Sequence, residues 1–235
     1  MTRGVTTGFR TIVLDVDSTL CGIEGIDWLA ARRGKAIAEQ VAEQTDRAMR
    51  GELPLERVYA ARLAAVMPGV ADVEELSRAY LESVAPGARS TISKWREAGV
   101  RAVLVSGGIR NAILPLAAHL GVDDSEVHAV DIVHDASGDY ADFDRSSPLS
   151  VATGKRDTVA ALNLERPVLA VGDGSTDLVM REVVDCFVAF TGFATRTAVV
   201  DQADYVAASF DELSDIVSRF ALPVTSGESP VTRNL

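Results

Sequence analysis

A doubly wound α/β fold, a Rossmann-like parallel sheet interrupted by one small helical cap, is what three features of the sequence predict. Apolar runs at 11–14, 103–105 and 168–171 each end in acidic, hydroxyl or glycine residues. That is the pattern of buried parallel strands whose carboxyl ends carry a site. After residue 20 the β-like signal disappears until about residue 100, and 25–83 is rich in Ala, Glu, Arg and Leu at helical spacing. From residue 100 onward, strand-like and helix-like segments alternate.

Taken in order, TIVL at 11–14 reads as a short buried strand that delivers Asp15 and Asp17 to its carboxyl end. Pro54 and the pair Pro68-Gly69 divide the following region into several helices. Val84-Ala85-Pro86-Gly87 is the return linker, followed by an amphipathic helix at 88–98 and a strand from residue 100. A helix at 111–120, a strand at 127–132, a hairpin at 133–143, a helix at 155–162 and a strand at 168–171 complete the alternation. The expected division is a core of residues 1–21 and 85–225, a helical cap of 22–84, and a polar, disordered tail of 226–235. A chain of 235 residues buries a substantial core as one domain carrying an insertion.

Composition narrows the function classes. The formal net charge of -11 argues against a nucleic-acid partner, because phosphate backbones are bound through clustered Lys and Arg. A small anionic substrate is still allowed, since local groups override global charge. No apolar run approaches membrane-spanning length and residues 1–9 lack a signal-peptide core, so the cytoplasm is expected. Cys21 and Cys186 read as plain thiols, Trp28 and Trp95 as packing residues, and the three histidines lack a ligand constellation.

Asp15 and Asp17 repel one another, a cost tolerated when a divalent cation sits between them or when one stays protonated. Both conditions suit phosphoryl transfer. On its own, Asp-Val-Asp-Ser-Thr is explained as well by a turn with Asp or Ser as N-cap. The rest of the chain moves the balance: VLVSGGIR at 103–110, Lys155 in a Thr-Gly-Lys turn, and VLAVGDGSTD at 168–177. Strand-end carboxylates, a strand-end Ser-Gly, a lone Lys and a second acidic strand end, in that order, resemble the haloacid-dehalogenase-like (HAD) phosphatase superfamily. EGIDWLA at 24–30, the segment 45–66 around Met49 and Arg62, and GDYADF at 138–143 extend the similarity to its phosphoserine phosphatase branch, in collinear order from about residue 13 to 190.

The resemblance implies a Mg²⁺-dependent phosphomonoester hydrolase acting on L-phosphoserine, as a monomer or homodimer with no membrane or nucleic-acid partner. It selects Asp15 over Asp17 as nucleophile, and makes Asp17 the acid that protonates the leaving oxygen and then activates water. The metal would be held by Asp15, the Asp17 backbone carbonyl and Asp173, with Asp177 orienting waters or holding Lys155. Ser106, Gly107 and Lys155 would hold the phosphoryl group, the first two from the start of a helix. In the cap, Arg62 would clamp the substrate carboxylate, Glu24 would take its ammonium and Met49 would cover the closed site, with Thr176 beside the substrate on the core. Each has an ordinary explanation as well: a helix cap for Ser106-Gly107, a solvated lysine, a surface Arg. The loop at 190–196, where Phe193 and Thr195 add bulk, is expected to narrow the site or to alter the approach of the cap. The same residues serve a phosphatase for phosphoethanolamine or phosphohomoserine, or a phosphotransferase. A phospho-accepting receiver module shares the acids and the Lys, but has no need of Asp17 or of a helical insertion.

Overall fold

The computed structural model describes residues 8–49 and 55–220. The chain enters through β1 (Thr11–Leu14) and leaves the sheet at once for four helices, α1 (Gly25–Arg32), α2 (Lys35–Met49), α3 (Leu55–Val66) and α4 (Val70–Glu82). It returns through α5 (Ala88–Glu97) to β2 (Arg101–Ile109), α6 (Arg110–Leu120) and β3 (Val127–Val130). A hairpin of β4 (Ile132–His134) and β5 (Tyr140–Phe143) precedes α7 (Gly154–Ala161) and β6 (Val168–Gly172). The remainder is α8 (Ser175–Leu178), β7 (Cys186–Phe190), α9 (Thr197–Val200), β8 (Tyr205–Ala207) and α10 (Phe210–Arg219).

Six strands form one parallel sheet in the order β3-β2-β1-β6-β7-β8, the doubly wound arrangement expected. The order reverses direction between β1 and β6, and ligands of such sheets bind beyond the strand ends at that switch point. β1 is fully buried because helices cover both faces, so it reads as a continuous apolar run. Trp95 packs from α5, with Thr91 and Ile92, and Phe210, Leu213 and Val217 pack from α10. The chain leaves for the four helices and returns beside itself: Gly22 N–H donates to Ser83 O at 2.9 Å, and Ala85 N–H to Leu20 O at 2.8 Å.

Register positions the chemistry. Leu14 lies opposite Leu104 of β2 and Val171 of β6, so Asp15, Ser106 and Asp173 all emerge at one edge of the sheet. One expectation is corrected here. Ser106 and Gly107 belong to β2, which continues through a register shift against β3 to Ile109, and α6 begins only at Arg110. They are therefore strand residues and not the start of a helix; the small side chains that resemble a cap motif are those the irregular strand end accommodates. The strand expected over 127–132 also divides, with β3 ending at Val130 and Ile132 opening the hairpin. The tail at 226–235 lies outside the described residues. Among the described residues no helix is long and apolar enough to cross a membrane.

Candidate active site

Four buried charges meet at the sheet edge. Lys155, the second residue of α7, donates to Asp15 Oδ1 at 2.5 Å and to Asp177 Oδ1 at 2.6 Å. Asp177 reaches this position from α8, where its Oδ2 accepts the Gly174 N–H at 2.9 Å. The approach requires Gly172, since a Cβ there would lie 2.2 Å from Asp177 Cγ. Asp173 projects beside them, and oxygens of Asp15, Asp173 and Asp177 all lie within 4.8 Å of one another. Ser106 is buried at the same edge, its Oγ accepting the Gly108 N–H at 2.9 Å.

The electrostatics explain what this cluster can hold. Burial, reinforced by the charge of Asp177, pushes the Asp15 carboxyl above its ordinary range, while Lys155 opposes the rise. Burial alone would lower Lys155, but Asp15 and Asp177 outweigh it and raise its affinity for a proton. Asp173 Oδ2 is buried and makes no hydrogen bond, although the Arg196 guanidinium lies against the carboxylate. An all-oxygen donor set with more carboxylates than cations fits a hard divalent ion of the Mg²⁺ kind. Asp177 takes part in this grouping more directly than the sequence suggests, in addition to holding Lys155.

Asp17 stands apart from that cluster. Its Oδ1 accepts from Tyr80 Oη at 2.7 Å and from the Gly25 N–H at 3.0 Å. Burial lifts its carboxyl to about 7, Glu24 adds to the rise, and the Tyr80 hydrogen bond opposes it. A carboxyl that exchanges its proton near neutral pH is suited to acid–base work.

A cavity of about 480 Å³ opens over the cluster. Asp15, Asp17, Lys155, Asp173, Gly107 and Thr176 line its floor, and Glu24 and Arg62 line it from the helical insertion. Arg62, on α3, pairs with Asp27 at 2.8 Å, while its buried Nε has no hydrogen-bond partner. Glu24 Oε1 accepts from Ser18 Oγ at 2.8 Å. Met49 is the last residue of α2, and its side chain lies outside the described part of the structure. Among the described residues, Ile26, Val58 and Tyr59 supply apolar wall, a role the sequence analysis does not assign. The i, i+4 spacing of Val58 and Arg62 on α3 is the signal that places both on one helix face.

Two further residues were missed. Arg196 reaches the floor from the loop after β7, against Asp173 and 3.5 Å from Glu24 Oε1, in a segment whose sequence shows only added bulk. Tyr80 is fully buried on α4 and gave no sequence signal beyond a core aromatic. Phe193 is not among the residues that line the cavity; its ring lies 6.2 Å from that of Phe190 with its edge over Gly22, and of its loop it is Arg196 that reaches the cavity. The thiols of Cys21 and Cys186 are buried and unpaired, and burial pushes them up to about 12 and about 11 respectively, so neither is a nucleophile.

A family model of haloacid dehalogenase-like hydrolases matches residues 12–182. Chloroplastic phosphoserine phosphatase of Arabidopsis thaliana is 36% identical over 209 residues, covering 87% of this chain and 70% of that protein. Phosphoserine phosphatase of Rattus norvegicus is 34% identical over 205 residues, covering 86% of this chain and 90% of its own. Among solved structures, a phosphoserine phosphohydrolase-like protein from Francisella tularensis superposes with a TM-score of 0.79 at 24% identity, over 88% of this chain and 99% of that one. A phospho-aspartyl intermediate analogue of phosphoserine phosphatase superposes at 0.73, also at 24% identity, over 88% and 98%. At those identities the structures establish the shared fold.

Proposed function

Because the chain belongs to the haloacid dehalogenase-like hydrolases and, within them, to the phosphoserine phosphatase family, we propose that it hydrolyses L-phosphoserine to L-serine and phosphate through an aspartyl-phosphate at Asp15. One observation carries the substrate assignment. A single small cavity joins a cluster able to handle a phosphoryl group to a carboxylate, Glu24, and a guanidinium, Arg62, both contributed by the helical insertion. L-Phosphoserine presents the complements of both, an ammonium and a carboxylate, beside its phosphate. The unpartnered Nε of Arg62 supports the match, since the Asp27 pair leaves that donor for a ligand.

The residues divide the work as follows. Arg62 and Glu24 bind the amino-acid end, and the Arg fork accepts a carboxylate with a geometry that lysine lacks. Ser106, Gly107 and Lys155 hold the phosphoryl oxygens, with Thr176 lining the same floor. Asp15 attacks phosphorus as the bond to the serine oxygen breaks, and Asp17 gives that oxygen its proton. Asp17 then takes a proton from water as the water oxygen attacks the phosphoryl group and Asp15 leaves. Asp15, the Asp17 carbonyl and Asp173 are the residues that would hold Mg²⁺, with Asp177 beside them. When bound, the ion supplies charge neutralisation for a dianionic ester and orients it. Ile26, Val58 and Tyr59 exclude water from the reacting end. The helical insertion 22–84 is thus the cap that chooses the substrate, and 85–225 with 1–21 the core that reacts.

Two buried, unpaired thiols fit a reducing compartment such as the cytoplasm. A role in serine biosynthesis follows from the family. Phosphate release with Mg²⁺ across L-phosphoserine, phosphoethanolamine and phosphohomoserine tests the reading. L-Phosphoserine should be preferred, and Arg62→Ala should raise its KM about 30-fold, the loss of ~2 kcal/mol expected of a charge-assisted hydrogen bond. The KM for phosphoethanolamine, which has no carboxylate, should not change. Preference for another ester, with Arg62→Ala silent, would leave the phosphatase and remove L-phosphoserine.

A further inference from the structure

We infer that Tyr80 is a positioning residue for the reaction, fixing which oxygen of Asp17 faces the leaving group. The inference rests on the reading of Asp17 as acid and base given above. Tyr80 is fully buried, and its hydroxyl donates to Asp17 Oδ1 at 2.7 Å. The Gly25 N–H donates to the same atom at 3.0 Å, so both donors converge on one oxygen. Oδ2 faces the Ser106–Gly108 end of β2. An atom placed at the Cβ position of Gly108 would lie 3.2 Å from Asp17 Oδ2 and 3.1 Å from Ser106 Oγ.

The consequence is geometric. A proton on Oδ1 would compete with two donors already aimed there, so the transferable proton resides on Oδ2. As the bond from phosphorus to the serine oxygen breaks, that proton passes from Oδ2 to the serine oxygen; in the second half-reaction Oδ2 takes one from the attacking water. With only the Gly25 N–H left, the carboxyl group loses one of the two contacts that prevent it from turning.

The rest of the structure is arranged to keep Tyr80 in place. Although it lies on α4, the last helix of the insertion, its backbone is tied to the segment by which the chain leaves the core: the Cys21 thiol donates to Tyr80 O at 3.3 Å, and Gly22 N–H donates to Ser83 O three residues on. Gly25 leaves the room. A Cβ there would come 2.2 Å from the Tyr80 hydroxyl and 3.1 Å from the ring carbon that bears it. Gly25 therefore serves Asp17 twice, with its own N–H and by admitting the phenol.

Tyr80→Phe keeps the ring and removes the donor. Its kcat on L-phosphoserine should fall about 10- to 100-fold, a share of the ~10²–10⁴ that acid–base catalysis contributes, with KM changed less than about threefold. The decisive readout is the leaving group. p-Nitrophenolate departs without needing a proton, so its single-turnover release from p-nitrophenyl phosphate, with enzyme in excess, should be unaltered. Gly25→Ala should reproduce the pattern by displacing the hydroxyl, and the double variant should be no worse than the more impaired single one. Equal slowing of both reactions would assign Tyr80 a merely structural role, and unaltered kcat on L-phosphoserine would remove any role; either result overturns the inference. Wild-type protein inactive on L-phosphoserine would instead overturn the functional reading beneath it.

Discussion

Asp15→Asn should reduce phosphate release from L-phosphoserine by a factor on the order of 10⁴ or more, the scale seen when a covalent nucleophile is removed. An amide nitrogen or oxygen does not form the acyl phosphate, and no neighbour can take over. Asp177 is engaged with Lys155 and the Gly174 N–H, and Asp17 is held by Tyr80 and Gly25. Folding should survive, because the replacement is isosteric and Lys155 keeps its Asp177 partner. Glu24 and Arg62 are untouched, so L-phosphoserine should still bind. Calorimetric binding to the inactive variant, measured beside its turnover, separates lost chemistry from a lost site. Residual turnover within about tenfold of wild type would assign the nucleophile elsewhere.

Asp17→Asn should have opposite effects on activity and stability. Without the proton donor and acceptor, turnover should drop about 10²–10⁴-fold. Stability should rise, for a reason that can be signed. Burial holds the folded-state carboxyl at about 7, against an unfolded value near 4. As pH rises from about 4 to about 7, the unfolded chain releases a proton that the folded chain retains, so the unfolded state gains and stability falls; above 7 the loss is complete. The full cost reaches roughly 4 kcal/mol at 1.4 kcal/mol per unit. Asn removes the titration while its Oδ1 still accepts from Tyr80 and Gly25. Urea unfolding in metal-free buffer should show the advantage of the variant growing by about 2–3 kcal/mol between pH 5 and pH 8. A difference independent of pH would mean that Asp17 is not held protonated. A catalytic acid kept at the expense of stability is the trade-off expected at an active site.

How far this was legible from sequence depends on the distance over which each signal acts. Asp15 and Asp173 close apolar runs, and a parallel sheet brings such strand ends together whatever the loops do, so the convergence of those two is readable, whereas Asp17, two residues on, turns instead to Tyr80 and Gly25. Lys155 was readable only through its order among the motifs, since nothing local separates a buried lysine from a solvated one. Ser106-Gly107 was placed on a helix start because Ser-Gly-Gly resembles a cap; the structure extends the strand through it by a register shift that no local pattern encodes. The C-terminal edge of the sheet passed unread. β8 has three residues, too few to establish alternation, although the apolar spacing of Phe210, Leu213 and Val217 marks α10 clearly enough. Arg196 and Tyr80 reach the site across 23 and 63 positions from Asp173 and Asp17 respectively, and only tertiary packing makes those pairs.

The central claim, that the phosphoryl group passes through Asp15, is tested most directly on the enzyme caught in turnover. Wild-type protein turning over L-phosphoserine with Mg²⁺ is quenched, treated with borohydride, which reduces an aspartyl phosphate to homoserine, and sequenced by mass spectrometry. Homoserine at position 15, absent when substrate is omitted, is the result predicted. Homoserine at position 17 or 173, or an unmodified Asp15 in enzyme that is releasing phosphate, would contradict it.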